Sequence, residues 1–235
     1  MTPEEIFILI GMAFLPPIIY VIWIRNTEKI NREKWKPIFL CFLWGATIAI
    51  IAAVILEIIL DYTLSPSISD QNLSNLVAVI IIAPFAEELT KPLALRLKTV
   101  KRELNELEDG LIYGAVAGLG FSATENLLYG SSFMAQGLIF FFILMSIRSI
   151  GGCLLHASAT AWTGYGYGKT VMKKTRLIRI IPYFILAIIV HATYNALLSF
   201  DTLGLYISLF AALTLTFITI TIVRNKIKAL DSRTN

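Results

Sequence analysis

The sequence predicts an all-α integral membrane protein with about seven transmembrane helices. Three observations predict it: 57% of the 235 residues are hydrophobic, only 15% are charged, and the mean hydropathy is +0.74. Soluble domains contain roughly 45–50% apolar and about 25% charged residues, so this chain has too few charges to cover a surface that faces water. The composition therefore excludes a soluble globular domain, a disordered chain and a nucleic-acid-binding protein.

A helix needs about 20 mostly apolar residues to cross the hydrocarbon core of a bilayer. Seven segments meet this requirement: residues 6–24, 38–60, 73–95, 110–129, 133–167, 180–200 and 205–223. The fifth is too long for one upright helix and is interrupted by Arg148 and Gly151-Gly152. We therefore expect a tilted or interfacial segment before Ser146 and the span proper after it. No linker rich in serine or proline divides the chain, so residues 1–235 are predicted to form a single membrane domain.

The basic residues predict the orientation of these spans. Nineteen of the 20 Lys and Arg residues, Lys91 among them, lie on alternate loops or in the C-terminal tail. Cytoplasmic loops carry the excess of Lys and Arg, so the N-terminus is predicted to lie outside and the C-terminus in the cytosol of a multi-pass cell-membrane protein. The net charge of +4 thus records topology and does not indicate a nucleic-acid partner.

Ionisable side chains within the spans are the candidate functional residues. Each costs about 2.5 kcal/mol or more at the centre of a bilayer, so each needs a partner or a function. They are Glu57, Glu87, Glu88, Glu125, Arg148, His156 and His191, with Asn126 and Asn195 beside them. Both histidines of the chain belong to this set, which favours a functional role. We interpret Glu57, near the outer end of the second span, as interfacial.

Glu87 and Glu88 are adjacent in the third span, between Pro84 and Pro92. Neighbouring helical residues point about 100° apart, so the two carboxylates face different surroundings. The prolines bend or open the helix, as happens where backbone lines a polar cavity. Lys91 is within reach of either carboxylate, and we expect it to pair with at most one of them. A plain salt bridge at a helix end is the alternative interpretation.

Three other spans carry the remaining polar residues. Gly114 and Gly118 form a face of small residues that lets another helix approach closely, and Glu125 lies deeper in the same span. At about 1.5 Å per residue, Glu125, His156 and His191 lie roughly 8–14 Å below the outer surface, and the glutamate pair lies near 20 Å. We therefore expect a polar cluster in the outer half of the bilayer, with the glutamate pair at its floor.

Arg148 lies eight residues before His156, on roughly the same helix face. It either neutralises one of the glutamates or extends to the outer interface, and the sequence leaves both open.

At these positions the sequence resembles the PrsW family of polytopic intramembrane proteases. The matching segments, within about residues 84–195, are Glu87-Glu88-x-x-Lys91, Glu108-Asp109-Gly110-x-x-Tyr113-Gly114, Gly120-Phe121-x-x-x-Glu125-Asn126, His156 and His191-x-x-x-Asn195. The double glutamate and the His-x-x-x-Asn segment also resemble the wider superfamily of CAAX proteases and bacteriocin-processing enzymes. That superfamily's Phe-x-x-x-His motif is Phe121-x-x-x-Glu125 here, which favours PrsW. The resemblance implies cleavage of a single-span membrane protein, such as an anti-sigma factor, toward the extracytoplasmic side.

The predicted reaction is hydrolysis of a peptide bond inside a membrane cavity. Glu87 is predicted to be the general base, Glu88 a second acid or ligand, and Asn195 an oxyanion donor. The full set of predicted catalytic residues is Glu87, Glu88, Lys91, His191 and Asn195. If a metal binds, its predicted ligands are Glu88, Glu125, His156 and His191. Imidazoles with carboxylates suit zinc or another divalent metal, but there is no His-Glu-x-x-His motif, so a metal-free glutamate mechanism stays open.

Two other functions also stay open. Intramembrane glutamates and histidines mark ion pathways as well, so a proton- or ion-coupled transporter is the alternative to a protease. No pair of broken spans recurs in the two halves of the chain, which disfavours a transporter. A non-catalytic membrane chaperone or sensor that keeps the polar cluster for stability is the third hypothesis.

Overall fold

The structure, a computed structural model, describes residues 1–200 and 204–232, and all regular elements in these ranges are helical. This confirms the all-α prediction. The α-helices are α1 (Pro3–Arg25), α2 (Trp35–Trp44), α3 (Ile50–Leu64), α4 (Gln71–Val77), α5 (Ala83–Thr90), α6 (Lys98–Lys101), α7 (Leu107–Met134), α8 (Leu138–Ile147), α9 (Cys153–Met172), α10 (Ile181–Ser199) and α11 (Leu205–Asp231).

Three π-helical turns join pairs of these helices into longer ones. Gly45–Ala49 joins α2 to α3, Ala78–Ile82 joins α4 to α5, and Arg148–Gly152 joins α8 to α9. The interruption predicted at Arg148 and Gly151-Gly152 is the third of these turns, and one continuous helix of 35 residues passes through it. Such single π turns occur often next to functional sites.

Among the described residues, six helices are long and apolar enough to cross a membrane. The predicted span 110–129 corresponds to α7, which is less apolar than the six. Every residue of α7 from Glu108 to Ala123 is buried, and a helix that is surrounded by protein does not need an apolar surface toward lipid. The count of seven spans and the orientation of the termini stay predictions.

Helix α7 is the centre of the bundle, and α9 packs most closely against it. A Cβ atom on Gly114 would lie 2.6 Å from the Thr160 carbonyl oxygen, and one on Gly118 would lie 2.3 Å from the His156 carbonyl oxygen. Only glycine permits this approach, which confirms the predicted face of small residues. The close contact fixes the position of α9, and hence of His156, relative to α7.

Candidate functional site

A cavity of about 520 Å³ lies between α3, α5, α7, α9 and α10, and polar residues predicted from the sequence form its wall. These are Glu57, Glu87, Glu125, Arg148, His156, His191 and Asn195. The other three predicted residues, Glu88, Lys91 and Asn126, are fully buried behind that wall. The structure therefore places only the first member of the glutamate pair at the cavity.

The π turn Ala78–Ile82 and two prolines shape the helix that carries the glutamate pair. The turn directly precedes α5, and Pro84 lies in its first turn. Asn195, on α10, donates its Nδ2–H to the Val79 carbonyl of the π turn at 2.9 Å. Helix α5 ends at Thr90, where a 3₁₀ turn begins with Lys91. Lys91 follows Glu88 by three residues and Glu87 by four, the spacings at which helical side chains meet.

The Lys91 ammonium bridges both glutamates. Its Nζ lies 2.7 Å from Glu87 Oε2 and 2.9 Å from Glu88 Oε1. The prediction that Lys91 pairs with at most one of them is wrong, because the two neighbouring carboxylates converge on the same buried cation. Lys91 also does not belong with the loop cations among which the sequence placed it, since its side chain is fully buried.

The hydrogen bonds of His156 define which of its ring nitrogens carries the proton. Lys91 Nζ lies 2.8 Å from His156 Nδ1, and an ammonium can only donate, so Nδ1 accepts. The proton is therefore on Nε2, which donates to Glu125 Oε2 at 2.8 Å. The lone pair of Nδ1 faces the site, 3.6 Å from Glu87 Oε2.

His191 has the corresponding arrangement with its two nitrogens exchanged. Its Nδ1 donates to Glu88 Oε1 at 3.0 Å, since a carboxylate can only accept. In the neutral ring Nε2 is then unprotonated, and it lies 3.9 Å from Glu87 Oε2. The two imidazole rings meet edge to face, with their centroids 4.9 Å apart. Two histidines on different helices thus present unprotonated nitrogens to the same glutamate.

Glu88 and Glu125 each accept a hydrogen bond from one of the histidines, on the side of the ring that faces away from Glu87. Glu88 Oε2 accepts a hydrogen bond from Thr160 Oγ1 at 2.9 Å, so both oxygens of this buried carboxylate are engaged. Glu125 is paired with Arg148, whose Nη2 lies 2.8 Å from Glu125 Oε2. The structure thus favours the first alternative for Arg148, neutralisation of a glutamate, over extension to the outer interface.

Donor atoms of Glu87, His156 and His191 all lie within 4.8 Å of one another. Two histidines and a glutamate form one of the ligand sets of catalytic zinc, and metal-binding imidazoles typically donate their other N–H to a carboxylate. The donor set itself, two imidazoles and a carboxylate, thus fits a divalent metal. The Lys91 ammonium contacts two of these atoms, Glu87 Oε2 and His156 Nδ1, so a metal would take over the Nδ1 lone pair that now accepts from Lys91.

This group of donors contains both predicted histidines, but its carboxylate is that of Glu87. Glu88 and Glu125, predicted as metal ligands, do not belong to this group of donors. Each accepts the outer N–H of a histidine instead, on the side of the ring that faces away from Glu87.

The charges of the site do not balance within the described residues. Three carboxylates, those of Glu87, Glu88 and Glu125, face two cationic side chains, Lys91 and Arg148. Buried charges require partners, so one proton or one additional cation completes the balance.

Sequence reasoning missed Thr160 and the role of Asn126. Thr160 follows His156 by one helical turn and is fully buried. That spacing is the only feature of the sequence that could have indicated its role. Asn126 was noticed as a neighbour of Glu125, and its Oδ1 accepts a hydrogen bond from Arg148 Nε at 2.8 Å. Both residues position a charged side chain of the site.

Comparison with known proteins gives one family and one relative. The model of a family described as PrsW family intramembrane metalloprotease matches residues 33–223, a range that contains the whole site. The protease PrsW of Clostridioides difficile (strain 630) is 28% identical to this chain over 120 residues, which are 50% of this chain and 48% of that protein. The chain thus spans about half the length of this relative. No solved structure matches the chain.

Proposed function

The chain belongs to the PrsW family of intramembrane metalloproteases, and on this premise we propose that it hydrolyses a peptide bond of a membrane-anchored protein. One observation carries the proposal: His156 and His191 present unprotonated nitrogens to Glu87 at the wall of a cavity inside the bundle. Such an arrangement can bind and activate a water molecule next to a substrate carbonyl.

Glu87 is the proposed general base. Its Oε2 faces both histidines, and its Oε1 makes no hydrogen bond with any described residue. Oε1 is therefore available to take the proton of the attacking water and to return it to the leaving amine. Glu88 cannot do this, because both of its oxygens are engaged and its side chain does not reach the cavity.

A metal would bind at the same residues. A divalent ion held by Glu87, His156 and His191 would supply a Lewis acid that polarises the scissile carbonyl and makes the water more acidic. Zinc suits two imidazoles and a carboxylate. With or without it, Glu88 and Glu125 keep the imidazoles in the required tautomer and orientation. Lys91 neutralises the carboxylates behind the cavity.

Asn195 is the proposed oxyanion donor. It lines the cavity one helical turn from His191, and its amide group has two N–H bonds. One of them donates to the Val79 carbonyl, which fixes the orientation of the amide. The other is available for the oxygen of the tetrahedral intermediate.

The proposed substrate is a single-span protein such as an anti-sigma factor, cleaved toward the extracytoplasmic side of the cell membrane. The cavity lining includes Tyr129 and Ser199, which lie near the C-terminal ends of α7 and α10. In the predicted orientation these ends lie outside, which supports cleavage on that side. We propose residues 84–195 as the catalytic core of a single domain that comprises residues 1–235.

Cleavage of a co-expressed, tagged single-span substrate tests this function. We expect the His191→Ala variant to abolish processing, because it removes one of the two nitrogens that face Glu87. Glu57→Gln is the matched control: it changes a glutamate of the same cavity that contacts neither histidine, and we expect it to cleave at the wild-type rate. Full processing by His191→Ala would contradict the proposal.

Chelation separates the two hydrolytic chemistries. We expect purified protein to contain one zinc ion per chain and to lose activity when a chelator removes it. Metal-free preparations that cleave at the full rate would show that the glutamate mechanism works without a metal.

A further inference from the structure

A second group of acidic side chains lies at the end of α7 that is opposite to Glu125. Two of its members are in the loop after α1, two are in the first turn of α7, and one is in the last turn of α11. They are Glu28, Glu33, Glu108, Asp109 and Asp231, and we call them the α1–α7 carboxylate cluster. Each is at most 5% exposed, although charged carboxylates are rarely buried without a partner.

Glu28 is the central member of this cluster. Carboxylate oxygens of Glu28, Glu33 and Asp109 all lie within 4.8 Å of one another, and so do those of Glu28, Glu108 and Asp231. Within residues 1–200 and 204–232, no lysine or arginine forms an ion pair with any of the five. The nearby Arg25 and Arg32 donate from Nε to the backbone carbonyls of Glu33 and Glu28 instead.

The hydrogen bonds of the cluster leave one oxygen free on each glutamate. Glu28 Oε2 accepts from the Glu33 backbone N–H at 3.0 Å, and Glu33 Oε2 accepts from the Tyr113 hydroxyl. By contrast, Oε1 of Glu28, of Glu33 and of Glu108 is buried with no hydrogen-bond partner. An unpartnered buried carboxylate oxygen is costly, and three of them in one cluster indicate a missing positive ligand.

A cavity of about 390 Å³ reaches two members of the cluster. It is lined by Glu33 and Asp109, together with Asn31, Arg32, Lys34, Glu103 and Asn105, and Lys34 is paired with Glu103. The cavity thus connects Glu33 and Asp109 to the surface at this end of the bundle.

We propose that the α1–α7 carboxylate cluster binds a divalent cation that prefers oxygen ligands, Mg²⁺ or Ca²⁺. An all-oxygen donor set selects such ions, whereas the two imidazoles of the membrane cavity suit zinc. The proposed ligands are Glu28, Glu33 and Asp109, whose carboxylate oxygens lie within 4.8 Å of one another. The cation would fasten the loop after α1 to the first turn of α7, the helix that carries Glu125. This site goes beyond the proposed function and does not depend on it.

Thermal unfolding of the purified full-length protein, treated with a chelator and then titrated with Mg²⁺ or Ca²⁺, tests the proposal. We expect Tm to rise by about 5–10 °C when the cation reaches 100 times its Kd. Glu28→Gln, which alters the residue shared by both groups of donors, should abolish this rise. Glu103→Gln is the matched control, because Glu103 lines the same cavity but pairs with Lys34; it should keep the rise.

The Glu87→Gln variant separates this site from the membrane cavity and should keep the rise in Tm even if it cleaves nothing. If Glu28→Gln does not fold, Glu33→Gln and equilibrium dialysis of the wild type against ⁴⁵Ca²⁺ replace it. A wild-type Tm that does not respond to either cation, or an equal rise in wild type and Glu28→Gln, would overturn the proposal.

Discussion

Replacing Glu125 by glutamine tests how the site holds His156. Glu125 Oε2 accepts the Nε2–H of His156 at 2.8 Å and is paired with Arg148 at 2.8 Å. Glutamine has nearly the same shape and keeps an oxygen acceptor, but it removes the negative charge. The substitution therefore weakens the support of the imidazole without removing Glu87, His156 or His191.

The expected loss follows from this one interaction. A hydrogen bond to a charged group contributes about 1.5–3 kcal/mol, and each 1.36 kcal/mol changes a rate tenfold. Loss of the charge at Glu125 is therefore expected to lower kcat by about 10- to 100-fold, which is also the usual effect of removing a carboxylate that orients a metal-binding histidine. KM should change less than about threefold, since the effect acts through His156.

The assay is cleavage of a single-span substrate by purified protein in liposomes, with kcat and KM measured separately and Tm measured in parallel. Glu57→Gln is again the control, because it removes a charge from the same cavity without contacting a histidine. A Glu125→Gln variant that cleaves as fast as the wild type would refute the positioning role. A rise in KM with unchanged kcat would show instead that Glu125 contacts the substrate.

Two further predictions concern stability. Gly114→Val should lower Tm by roughly 4–10 °C in thermal unfolding, because overpacking costs about 1–3 kcal/mol or more. The new Cβ would lie 2.6 Å from the Thr160 carbonyl oxygen. Gly11→Ala is the control: the nearest side-chain atom is 4.0 Å away, so Tm should not change. Lys91→Met should lower the free energy of unfolding by about 3–5 kcal/mol, because it leaves two buried carboxylates without their cation. An unchanged unfolding midpoint would contradict the stabilising role of these buried ion pairs.

The positions of the helices could be predicted from the sequence, because a lipid-crossing helix must be apolar over about 20 residues. The predicted spans 38–60 and 73–95, for example, lie within the helices Trp35–Ser67 and Gln71–Arg96. Polar residues inside these runs identified the candidate site for the same reason, since a charge in a span is costly. The weak apolar character of α7, by contrast, follows from its burial, which a single sequence does not reveal.

The sequence could not predict the arrangement around Lys91. Counting along straight helices placed Glu87 deeper than His156 by roughly 6–12 Å, yet the two side chains meet. The helix that carries His156 begins at Leu138, so this residue lies about 27 Å along it rather than near its outer end. Spacing put Lys91 within reach of either glutamate, but it did not show that both carboxylates meet the same buried ammonium.

The α1–α7 carboxylate cluster also had no local signature. Glu28 and Asp231 are near opposite ends of the chain, and each resembles an ordinary charge beside a membrane span. Glu108 and Asp109 were noticed only as part of a family motif. Their common feature, burial without a cation, depends on tertiary contacts between α1, α7 and α11.

Cleavage of a tagged single-span substrate by the reconstituted Glu87→Gln variant tests the central claim most directly, namely that Glu87 transfers the proton at a site shared with His156 and His191. An amide cannot accept that proton, and loss of a general base costs about 10²- to 10⁴-fold. We therefore expect a rate at least about 100-fold below that of the wild type, with an unchanged Tm and with uncleaved substrate still bound. A Glu87→Gln variant that cleaves within threefold of the wild-type rate would contradict the account.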